Sequence, residues 1–269
     1  MNRVVASGPF CKDKAVTATL PTFLFVAGVE GSGHHALLSI WQHLQATHAI
    51  DLVVYDQQFH SLGIENHASY HYSSIQIDLH HAAMKSRFAN ATRDGSIVID
   101  AQNSYPMGQY AGSLAHPDLG SLLELDGVLF NLRVIVLHRK PTDTVLSAVR
   151  RFRDAEDAKY KVPEYQARVV AESLTNINNV MPDLPCGRWM LMCYEDLISN
   201  PSIFSGPFAR LLELPKADVQ AAFKSIRAPP ARPESEQVKK DKRLLDQFFE
   251  RQQATWPIIT AATTKKSVH

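Results

Sequence analysis

The chain has 269 residues, 45% of them hydrophobic, with only 12 Gly and 15 Pro; these values exclude collagen-like, coiled-coil and largely disordered chains and fit one globular domain. Its 28 Lys and Arg balance 27 Asp and Glu to a formal +1, which argues against bulk attraction to nucleic acid or an anionic membrane but leaves room for a focused anion site. The three cysteines, Cys11, Cys186 and Cys193, form neither an even framework nor a CxxC pair, as expected in a reducing compartment.

Residues 1–20 carry no apolar core followed by a small-residue cleavage site and read as an extension ahead of a domain over 21–259, with a flexible tail at 260–269. No window approaches the length of a membrane span, so a cytoplasmic location is expected, with a luminal protein relieved of its anchor as the alternative. Asn90-Ala91-Thr92 is an acceptor-type glycosylation triplet that means little without a signal peptide. In chain order, the first strand is Phe23–Val29. A helix over Gly33–His48 follows, its buried stripe made by Leu37, Leu38, Trp41 and Leu44. Next come a strand candidate at Ile50–Tyr55, a helix at Ile75–Ala89 and strands at Ile97–Asp100 and Val134–His138. Helices are expected at Thr142–Arg153, after a proline suited to a first turn, and at Pro163–Asn178. A strand at Met190–Tyr194, a helix at Pro201–Leu212, a loop or lid at Ala228–Pro233 and a helix at Glu236–Gln252 complete the chain, with no internal repeat. This alternation predicts a three-layer α/β/α domain, a central parallel sheet with helices on its faces.

The segment from Phe23 to Leu44 is a strand that breaks into a glycine-rich turn and enters a helix. Gly28-x4-Gly33 has the spacing of a P-loop, in which backbone N–H groups at a helix start surround a phosphate-like anion. His34 and His35 stand where a Walker A motif needs Lys and then Ser or Thr, so both the phosphate-binding cation and the Mg²⁺-binding hydroxyl are missing and an ordinary nucleoside triphosphatase or kinase is disfavoured. A tight strand-to-helix connection with no ligand is the plainer reading of this loop taken alone.

Two later segments shift that balance. In VIVLHRKPTDTVLSAVRRF, Val134 to Phe152, a strand delivers Arg139 to its carboxyl end and Ser147 follows two turns into the next helix; a guanidinium fork plus a hydroxyl suits a terminal phosphate. In MLMCYEDLISNP, Met190 to Pro201, a strand runs into Tyr-Glu-Asp-Leu and an Asn-Pro helix start. In this order and with these gaps, the three segments resemble the PAPS-dependent sulfotransferase family over residues 23 to 201, with Arg139, Pro141, Asp143 and Ser147 as the most specific match. The resemblance implies the P-loop NTPase-like sulfotransferase fold. It also implies that Gly31, Ser32, Gly33, His34 and His35 hold the 5′-phosphosulfate of PAPS, that Arg139 and Ser147 hold its 3′-phosphate, and that Tyr194 faces the adenine. The family's loop cation falls on Gly31 and its hydroxyls on His34 and His35, so an imidazolium from either histidine would have to replace the lost charge.

For the catalytic base the resemblance points first to Asp56, eight residues beyond His48, with His60 and Glu65 as competitors. Asp100 and Tyr105 are candidates for the acceptor wall, and Arg227, Arg232 or Lys239 for a late cation closing over the 3′-phosphate. The run Lys239, Lys240, Lys242 and Arg243 also reads as the solvated face of an amphipathic helix. His67, His71, His80 and His81 lack the companions of a zinc site, so no metal is expected. The sequence thus leads to a sulfotransferase using PAPS and a small-molecule or carbohydrate acceptor, without nucleic acid. A non-catalytic nucleotide-binding or regulatory protein, or a degenerate P-loop nucleotide kinase, is the alternative.

Overall fold

The computed structural model describes residues 20–53, 79, 82–86, 88–89, 96–100, 119–154, 158–228 and 233–264. Five short apolar runs form the strands β1 (Thr22–Gly28), β2 (Ile50–Val53), β3 (Ile97–Asp100), β4 (Asn131–His138) and β5 (Trp189–Cys193). All pair in parallel in the order β2-β3-β1-β4-β5. A parallel sheet is covered on both faces, which is why β4 is buried at every position and reads as an unbroken run rather than an alternation. One face carries Phe23, Phe25, Val134, Val136 and Leu191. Over it pack α2 (Leu119–Leu125), α3 (Pro141–Arg151), α4 (Pro163–Val180), α8 (Glu236–Gln252) and α9 (Pro257–Thr264). The other face carries Leu24, Val26, Ile135, Leu137 and Met192 under α1 (Leu38–Thr47), α6 (Ser202–Leu212) and α7 (Lys216–Phe223). The result is a three-layer α/β/α domain.

Differences from the sequence expectations have local causes. Strand β4 begins at Asn131 rather than Val134, because Arg133, a charge that interrupts the apolar run, is buried and satisfied: its Nε donates to Leu211 O at 3.1 Å and its Nη2 to Glu213 Oε1 at 3.2 Å. Tyr194, expected to end β5, opens the short helix α5 (Tyr194–Ser199). The helix expected over Gly33–His48 starts as a 3₁₀ turn at His34–Leu37 before α1. Helices α2, α7 and α9 were not foreseen, and α9 runs through the start of the expected tail. Of the helix expected at 75–89, residues 82–86 and 88–89 are helical, with Met84 and Phe88 in the core.

Sheet order fixes where a site can form. From β1 the chain leaves through α1 on one face, and from β4 it leaves through α3 on the other. The two exits diverge at the carboxyl ends of adjacent strands and leave a crevice between them, the usual ligand position in open α/β sheets.

Candidate functional site

The crevice is floored by the turn after β1. Gly31 and Gly33 have φ of 90° and 105°, values that favour glycine, and both also lack room for a side chain. A Cβ on Gly31 would fall 2.4 Å from Thr144 O and 3.2 Å from Ser147 Cβ, so the loop backbone lies directly on α3. A Cβ on Gly33 would fall 2.3 Å from the Tyr194 ring. Ser32 is buried and its N–H closes a turn onto Val29 O at 2.9 Å. Gly33 is the N-cap of the turn that follows and no side chain caps it, so this helix start offers first-turn N–H groups of the kind that lack intrahelical partners.

From the end of β4, the Arg139 Nη1 donates to Gly31 O at 2.9 Å, and the guanidinium carbon lies 4.5 Å from the centre of the Tyr194 ring. Gly31, Gly33, Arg139, Ser147 and Tyr194, distant in sequence, therefore meet at one edge of the sheet. Behind Arg139, the Lys140 N–H donates to Glu195 Oε1 at 2.8 Å, tying the β4 exit to α5. The Thr142 hydroxyl donates to Asp246, Lys140 Nζ lies 3.2 Å from the same carboxylate, and Asp143 pairs with Lys242 at 3.3 Å. These contacts anchor α8 to the first turn of α3, so Lys242 of the basic run is engaged within the fold.

The two loop histidines differ sharply. His34 is buried, its Nε2 3.3 Å from Val26 O and its ring in the space a Gly28 side chain would need. Burial pushes its pKa down to about 4 against the partial opposition of Glu30, so near neutral pH it is an uncharged ring turned to β1. His35 is exposed on the same turn. His138, at the end of β4, is likewise held near 4 by burial, with Glu195 opposing, and its Nδ1 has no hydrogen-bond partner among the described residues.

Sequence reasoning missed Glu30 and Arg151. The Glu30 carboxylate, within the glycine loop, lies 3.1 Å from Arg151 Nε at the end of α3. The signal was present: Arg151 stands four residues after Ser147, on the same helix face. Arg227 is exposed and gives its Nη1 to Lys224 O at 2.8 Å and Ile226 O at 3.2 Å, the carbonyls around the end of α7. Asp100 closes β3 on the same carboxyl edge, opposite Val53. Asp56, His60, Glu65, Tyr105 and Arg232 lie outside the described residues, as do His67, His71, His80 and His81. Among the described residues no cluster of His, Cys, Asp and Glu could hold a metal ion, and no helix is long and apolar enough to cross a membrane.

No protein-family model matches the chain, and no curated protein does. Solved structures do. A sulfotransferase from Alicyclobacillus acidocaldarius is 12% identical, with 90% of this chain and 94% of that one covered at a TM-score of 0.51. A mouse sulfotransferase complexed with PAP is also 12% identical, with 90% of this chain and 86% of the other covered at a TM-score of 0.50. Likeness at this identity speaks for architecture and leaves the residue roles to the chemistry of the site. With five parallel strands, helices on both faces and a glycine turn at the crevice between β1 and β4, the chain has the sulfotransferase fold.

Proposed function

We propose that the chain is a sulfotransferase that moves a sulfuryl group from PAPS to a hydroxyl or amine of a small metabolite or carbohydrate, leaving adenosine 3′,5′-bisphosphate. The observation that carries this reading is the meeting of Arg139, Ser147 and Tyr194 around Gly31 and Gly33 at one sheet edge. These residues suit a nucleotide with phosphates at both ends. Two glycines let the backbone approach an anion closely, a guanidinium with donors beyond the one given to Gly31 can take a phosphate, and an aromatic face lies beside it.

PAPS supplies an activated sulfuryl group, and the work left to the protein is in-line positioning, removal of the acceptor proton and stabilisation of charge on the departing phosphate. In our reading the N–H groups of Gly31 to His35 hold the 5′ side, Arg139 and Ser147 hold the 3′-phosphate with Arg227 as a late second cation, and Tyr194 faces the adenine. Because His34 is buried and turned to β1, His35, exposed on the same turn, is the loop imidazole left to meet the departing phosphate. Asp56 takes the acceptor proton, ahead of His60 and Glu65, and Asp100 and Tyr105 flank the acceptor.

The experiment is a thermal-shift comparison followed by turnover. Adenosine 3′,5′-bisphosphate raises the melting temperature and ATP with Mg²⁺ does not; equal stabilisation by both overturns the reading. Incubation with labelled PAPS and a panel of acceptors then yields a sulfated product detectable by mass spectrometry. A regulatory nucleotide-binding protein is the second reading, favoured by a loop that contains Glu30 and an uncharged His34. It predicts bisphosphate binding with no sulfate transfer to any acceptor.

A further inference from the structure

The loop proposed to hold the 5′ anion contains a negative charge of its own. Glu30 precedes Gly31, which supplies no cationic side chain, and later in the turn His34 is buried and turned to β1 while His35 is exposed. The Glu30 side chain is only 16% exposed, so its charge is poorly screened where an anion would sit. Against it lies Arg151, 3.1 Å away and 55% exposed.

Arg151 reaches the loop because α3 presents one face to it. Thr144, Ser147 and Ala148 all approach the position of a Gly31 Cβ, and Arg151 follows Ser147 by one helical turn. The residue proposed to bind one phosphate and the residue that pairs with Glu30 thus share a single rigid stripe. An arginine in a last turn also suits the helix dipole, which would account for its presence but not for its aim at the loop.

We infer that Arg151 is the charge-compensating residue of the nucleotide site: from the last turn of α3 it neutralises Glu30, so that the 5′ anion meets a loop without net negative charge. It is a positioning residue acting through Glu30, not a group that touches the nucleotide. The inference rests on the PAPS reading above. It also predicts selectivity between the two ends of the nucleotide, because Glu30 lies on the loop while Arg139 and Ser147 serve the 3′-phosphate.

The test is calorimetric titration of the full chain with adenosine 3′,5′-bisphosphate and with adenosine 3′-monophosphate, which lacks the 5′ anion. Arg151→Ala weakens the bisphosphate about tenfold and the 3′-monophosphate hardly at all. Adding Glu30→Gln to Arg151→Ala restores bisphosphate affinity, and Arg151→Lys, which keeps the charge, stays near wild type. Unchanged bisphosphate affinity in Arg151→Ala, or equal losses for both ligands, overturns the inference, the second outcome marking the pair as a structural strut. A double variant that is not rescued overturns it too, since Arg151 would then contact the phosphate directly. Should Arg151→Ala not fold, wild-type preference for the bisphosphate in Arg151→Lys and tighter bisphosphate binding in Glu30→Gln carry the same decision, and absence of either overturns it. Wild-type protein that binds neither nucleotide overturns the PAPS reading itself.

Discussion

Strand β4 carries an arginine near each end, and the two have opposite lives. Arg133 is buried, with Nε on Leu211 O, Nη1 on Leu132 O and Nη2 on Glu213, so its fork is consumed by the scaffold and it clasps the end of α6 to the sheet. Arg139, beyond the last paired residue, makes one hydrogen bond among the described residues, to Gly31 O, and rests on the Tyr194 ring. The same side chain is structural where secondary structure surrounds it and available where the strand runs out. Position along a parallel strand, more than residue type, decides which arginine can meet a ligand.

Acid is the strongest way to break this contrast, because the carboxyl end is where the buried histidines stand. His34 and His138 have pKa values lowered to about 4 from 6.5, chiefly by burial. The unfolded chain binds these protons as pH falls below about 6.5 while the folded chain resists until about 4, so stability is complete above the upper value and drains away through that window. The limit is about 3 kcal/mol for each histidine. Urea titrations across the window should show this slope, and His138→Leu should remove part of it; a slope indifferent to that substitution contradicts the assignment. Next in size, Arg133→Met leaves the Leu211 carbonyl unpaired and costs about 2–3 kcal/mol of folding stability without touching nucleotide affinity. Chemical denaturation and calorimetry on the same sample check both halves. At the opposite end, Arg139→Ala should leave stability nearly unchanged and weaken bisphosphate binding by about 1.5–3 kcal/mol; an unaltered dissociation constant moves the phosphate elsewhere. The smallest effect is expected for Ser147→Ala, about 1 kcal/mol in affinity for the 3′-phosphate nucleotide. A double variant with Arg139→Ala would show whether the two act on one group.

Much of the architecture was legible in the sequence because a buried parallel sheet writes itself as short apolar runs. What escaped was set by contacts distant in the chain. The start of β4 was hidden by Arg133, whose charge is tolerable only because Leu211 and Glu213 come to meet it. Arg139 and Ser147 could be read together from a strand end and helix spacing, whereas Tyr194 was placed with them only by the family resemblance. The orientation of the His34 ring could not, because it depends on the space above Gly28 and on the carbonyl of Val26. Glu30 lay in plain view inside the glycine turn, but its partner comes from a helix built after a different strand.

The bond between Arg139 and Gly31 spans 108 residues. At a synthesis rate of about 5–20 residues per second, roughly 5–20 s separate the emergence of the glycine turn from that of its guanidinium. During that interval β1 also lacks its β4 neighbour, and the turn has no α3 backbone to rest on. On the ribosome the nascent turn therefore carries the Glu30 carboxylate before Arg151, its partner in the folded chain, has been made. The arrangement proposed for nucleotide capture cannot form until α3 has emerged and set both Ser147 and Arg151 against the turn, and it lacks the Tyr194 ring for longer still.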